Sequence, residues 1–122
     1  MKIAFLLLFV AGTAAADTTI MDNNKTITID CAKDKDLSLL GNHLVITLSN
    51  GACNKISITG NHETVTGAAK DFEIAGNFNT INPVDAAIIN VMGNNNTVAW
   101  KSAKGAPKIS NVGKSNSVTQ SK

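Results

Sequence analysis

The side chains best suited to chemistry are two histidines, a small set of carboxylates and two cysteines. His43 and His62 each stand two residues after a glycine, in "GNHL" and "GNHE". If those glycines are equivalent points of a repeat, the imidazoles lie on adjacent turns. Two imidazoles that close could hold zinc or copper, with the neighbouring Glu63 as a further ligand. The same column continues as Phe78, Asn95 and Ser115 and supplies no third obvious donor. The expectation is therefore variable, outward-facing turn residues, with no metal and no cofactor.

Carboxylates are sparse. Glu73 is the acid at an outward strand position of the repeat, with no acidic partner in its column, and "AKDKD" (32–36) reads as a solvated loop. Hydrolysis or elimination on a polysaccharide needs paired carboxylates or a cation site. The chain has no G-x-S-x-G, HExxH or P-loop, and no G-G-x-G-x-D calcium turn. The expectation is a protein that is not an enzyme. All eleven basic residues are lysine against nine acids, and Arg and Tyr are absent. Such a chain lacks the basic, aromatic footprint of a nucleic-acid binder and the polybasic patch of a membrane-surface protein.

What remains is a surface. Thr64, Thr80, Thr97 and Ser117 share one column, and Thr47, Thr66 and Thr119 share the next. Val45, Asn82 and Ala99 interrupt these ranks. A flat sheet with two ranks of small hydroxyls could lie along a glycan or another envelope component, and it resembles the ice-binding face of solenoid antifreeze proteins. Threonine is also simply a good solvent-facing strand residue. Trp100 either caps the core or offers a ring on which a sugar could stack.

These columns exist only if the chain repeats, and it does. Five segments share one phrase: "LSLLGNHLVI" (37–46), "ISITGNHETV" (56–65), "FEIAGNFNTI" (72–81), "INVMGNNNTV" (89–98) and "ISNVGKSNSV" (109–118). Their glycines, Gly41, Gly60, Gly76, Gly93 and Gly113, are spaced by 19, 16, 17 and 20 residues. Before each glycine, apolar and polar residues alternate, the pattern of a strand with one buried face. Glycine, followed by asparagine, accepts positive φ at low cost and predicts a corner. A second short strand follows.

A unit of this length cannot bury its own apolar face, but stacked units can. The predicted fold is an all-β, parallel β-solenoid of about five turns. Three aliphatic columns fill its interior: Leu37/Ile56/Phe72/Ile89/Ile109, Leu39/Ile58/Ile74/Val91 and Ile46/Val65/Ile81/Val98/Val118. An antiparallel sandwich is the competing fold, since Gly-Asn turns also suit hairpins. Stacking explains better why the same residues recur at every second corner. It also explains the asparagines. Asn42, Asn61, Asn77 and Asn94 form one column and Asn79, Asn96 and Asn116 another, where amides one strand spacing apart can bond to each other.

Cys31 and Cys53 are 22 residues apart, about one turn, which suits a disulfide clamping the first two turns. Thr26–Asp30 reads as the leading strand. At the start of the chain, Lys2, the apolar run Ile3–Val10 and Ala14-Ala15-Ala16 have the pattern of a cleaved leader over residues 1–16. Residues 17–122 would then be one domain, secreted or periplasmic, with no further membrane insertion. The sequence says nothing of oligomeric state.

The run "GACNKISITGNHETVTG", with "GNFNTI" and "GNNNTV", resembles domain-of-unknown-function family 3060. The resemblance spans about residues 27–120. It implies export and a repeat fold, and it brings no catalytic residues. The chain departs from the pattern at Leu44-Val45 in the first copy and at Lys114 in the last.

Overall fold

The computed structural model describes residues 16–101 and 105–121. The leader assigned to residues 1–16 lies, apart from Ala16, outside them.

The described residues form ten strands: β1 (Ala16–Ile20), β2 (Thr26–Asp30), β3 (Asp34–Asn42), β4 (Val45–Asn61), β5 (Thr64–Asn77), β6 (Thr80–Pro83), β7 (Ile88–Asn94), β8 (Thr97–Trp100), β9 (Lys108–Lys114) and β10 (Ser117–Gln120). The pairings between them are parallel, which rules out the antiparallel sandwich. The chain is a parallel β-solenoid of about five turns. A first face stacks β1, β3, the end of β4, the end of β5, β7 and β9. A second face stacks β2, the start of β4, the start of β5, β6, β8 and β10. β4 and β5 are long because each runs from the second face of one turn into the first face of the next.

Register is kept by the glycines. Gly41 pairs with Gly60, Gly60 with Gly76, Gly76 with Gly93 and Gly93 with Gly113. The reason is mainly steric. A Cβ at Gly60, Gly76, Gly93 or Gly113 would be driven into the carbonyl oxygen of the glycine one turn earlier. The left-handed residue of the corner is not the glycine's asparagine but the residue after it. His43, His62, Phe78, Asn95 and Ser115 all have φ of 58–59°. Only glycine lets adjacent turns approach this closely, and the strained φ falls on a residue whose side chain points to solvent.

Inside, the predicted columns are filled and buried from Leu37, Leu39 and Ile46 through Ile89, Val91 and Val98. Near-parallel strands about 4.8 Å apart favour these aliphatic, mostly β-branched side chains. The last turn departs from expectation. Ile109 is 41 % exposed and Val118 only partly buried, because no turn among the described residues covers β9. Cys31 and Cys53 are bonded with a Cα–Cα distance of 4.7 Å, one strand spacing. The stretch 32–36, expected to be a loop, enters β3 at Asp34.

Candidate functional site

The corner carries two amide ladders side by side. In the outer one, each asparagine side chain donates to the amide oxygen one turn earlier: Asn61 to Asn42 at 3.2 Å, Asn77 to Asn61 at 3.2 Å and Asn94 to Asn77 at 3.3 Å. Asn23 extends this ladder by accepting from Asn42 at 3.3 Å. It lies outside the five aligned phrases, and only the position of the leading strand could have pointed to it.

The inner ladder points into the core, where Asn79 and Asn96 are buried. Its bonds go mostly to the backbone rather than from amide to amide. The nitrogens of Asn79, Asn96 and Asn116 donate to the carbonyls of Gly60, Gly76 and Gly93 at 3.1, 2.9 and 2.9 Å. Their oxygens accept the backbone N–H groups of Glu63, Asn79 and Asn96 at 2.9, 3.0 and 2.9 Å. Each inner amide thus satisfies a donor and an acceptor that the sharp corner leaves without a strand partner.

The same column places Leu44 and Glu63 in the earlier turns. Both are buried. Burial pushes the Glu63 carboxyl up to about 7. Glu63 points inward and so does not join His43 and His62, which are exposed at the corner. The two imidazoles stack with ring centroids 4.9 Å apart and planes within 1°. Phe78 continues the stack on His62 at 5.2 Å. Parallel rings direct their nitrogen lone pairs side by side instead of toward one centre. No group of three or more His, Cys, Asp or Glu side chains converges among the described residues.

On the outer side of the first face, Glu73 is not isolated. Lys55 bridges to it at 3.2 Å, and Asp71 stands two residues away on the same strand. Desolvation first, and then the Glu73 charge, push the Asp71 carboxyl up, while Lys55 opposes them. A cavity of about 380 Å³ opens on the loop side between Ala52, Ala69, Lys70, Asp85 and Ala87, a mostly methyl-lined wall.

The outer side of the second face is different in kind. Parallel register aligns Thr26, Val45, Thr64, Thr80, Thr97 and Ser117 in one column. Thr28, Thr47, Thr66, Asn82, Ala99 and Thr119 form the other. Thr26 and Thr28 add a turn to the ranks read from the repeat. "TITID" carried the same apolar alternation, but it has no glycine by which to align it. No residue in either column is charged. Trp100 lies inward and is 7 % exposed, so it offers no open ring face beside these ranks.

Together these features define a parallel β-solenoid with amide-stacked corners and one flat hydroxyl-bearing face. Residues 56–115 match the model of a family described as "Protein of unknown function (DUF3060)", the family that the repeat phrases resemble. No curated protein and no solved structure matches it.

Proposed function

We propose that this chain is an exported, non-enzymatic module of the cell envelope or extracellular space that binds through the hydroxyl face of its second sheet. The observation that carries the reading is the composition of that face. Of twelve outward positions in the two columns, nine are Thr or Ser and none is charged. Neighbours repeat at about 4.8 Å along the axis and about 6.7 Å along each strand. A rigid grid of this kind complements a ligand that is itself extended, uncharged and periodic.

Export is supported by the leader pattern and by the Cys31–Cys53 disulfide, which suits an oxidising compartment. Among the described residues no helix is long and apolar enough to cross a membrane. The absence of catalysis is supported by dispersal of the reactive groups. Glu63 is inside, Glu73 is paired with Lys55, and the imidazoles are stacked on each other.

An envelope glycan is the first ligand to test, since its hydroxyls recur along a chain. The test is co-sedimentation of residues 17–122 with insoluble cell-wall polysaccharide, using wild type and Thr80→Lys. Pelleting that the lysine abolishes supports the reading, and pelleting unchanged by the lysine rejects this face. A second reading, ice, is favoured by the alternation of methyl and hydroxyl on a flat grid with no aromatic beside it. Thermal hysteresis without polysaccharide binding would select it.

A further inference from the structure

Glu63 occupies a position that in the later turns belongs to a hydrogen-bond donor. It lies in the inner ladder between Leu44 and Asn79, fully buried, and neither carboxyl oxygen has a hydrogen-bond partner. In the three later turns, the residue of this column gives a side-chain N–H to the glycine carbonyl of the turn before. The equivalent acceptor for Glu63 is the carbonyl of Gly41, which pairs in register with Gly60.

The geometry reproduces that relation. A Cβ built on Gly60 would lie 2.9 Å from Glu63 Oε2. Built on Gly76 and Gly113, it would lie 3.1 Å from the amide nitrogens of Asn79 and Asn116. Oε2 therefore stands where the donating nitrogen stands in the sister turns. An ionised carboxylate there would bring two acceptors together with no proton between them. The neutral acid carries the one hydrogen that the position requires.

We propose that Glu63 is a proton-operated clasp: as a neutral acid it donates its O–H to the Gly41 carbonyl and closes the corner joining the first two glycine turns. Loss of the proton to solvent leaves a buried charge facing a carbonyl oxygen and loosens that joint. Among the described residues no other ionisable group substitutes for the proton. Lys25 heads the same column but sits at the surface beside Asp22, with Leu44 between it and Glu63. His43 and His62 are exposed on the outer side of the corner, and Asn79 on the other side is neutral.

The sign follows from proton linkage. A carboxyl raised from 4.5 to about 7 binds its proton more tightly folded than unfolded. Its contribution is complete below the unfolded value of 4.5 and is lost as pH rises through about 7. The joint is tight in acid and loose in mild alkali.

The test is thermal unfolding of the disulfide-intact chain between pH 5 and pH 8. Wild type is expected to lose roughly 5–10 °C in Tm over this range. Glu63→Asn and Glu63→Gln, which donate at any pH, should show a much smaller loss. A flat wild-type profile, or variants that fall in parallel with it, would overturn the proposal. A carboxyl ¹³C titration of the wild type gives an answer even if the variants fold poorly. The chain has two glutamates, Glu63 and Glu73, so two resonances are expected. A Glu63 midpoint near 7 agrees with the clasp, and a midpoint near 4.5 contradicts it.

Discussion

The two amide ladders run along one corner and are built from one residue type, yet they do different work. The outer ladder, from Asn23 to Asn94, lies at the surface, exposed at most rungs and partly covered between Asn61 and Asn77. The inner ladder, from Asn79 to Asn116, answers backbone groups that are closed off from solvent. Burial is what separates them. The inner column also fails in a patterned way: where Leu44 and Glu63 replace the amide, the disulfide ties the same early turns together.

The strongest way to break the comparison is to remove what both ladders hang on. Gly76→Val should cost on the order of 4 kcal/mol or more, because its Cβ meets the Gly60 carbonyl and the backbone has no room to yield. Urea unfolding should find little folded protein. Next in size is the double change Cys31→Ser with Cys53→Ser, expected to cost about 3 kcal/mol by freeing a loop of 22 residues. Native-state hydrogen exchange should place the gain in opening at β2 and β3, leaving β7 and β8 protected. The smallest effect belongs to Thr80→Lys, which touches neither ladder. Its stability should stay within about 0.5 kcal/mol of wild type while pelleting with polysaccharide is lost.

Much of this was legible in the sequence because stacking forces identity. Gly41, Gly60, Gly76, Gly93 and Gly113 must all be glycine for one steric reason, so the repeat, its parallel register and the cysteine pairing could be read from spacing alone. The hydroxyl ranks followed from the same register. Features outside the phrase were harder to see. Asn23, Thr26 and Thr28 belong to a turn with no glycine to align on. Glu63 aligns with Asn79 in the repeat, but only the structure shows that this column points inward, so that the carboxyl replaces a buried amide and does not join His62. Lys55 lies one turn before Asp71 and Glu73, so its approach to them depended on the lateral register of the first face. Ile109 fits its column by type and is exposed by position, at the end of the described stack.

The most direct test of the stacked corner is a matched pair of variants, Asn96→Ala and Asn77→Ala, unfolded in urea under the same conditions. Asn96→Ala strands the Gly76 carbonyl and the Asn79 N–H in the core and should cost about 2–3 kcal/mol, whereas Asn77→Ala should cost under about 1 kcal/mol. Equal losses, or a larger loss at Asn77, would contradict an inner ladder that serves the buried backbone.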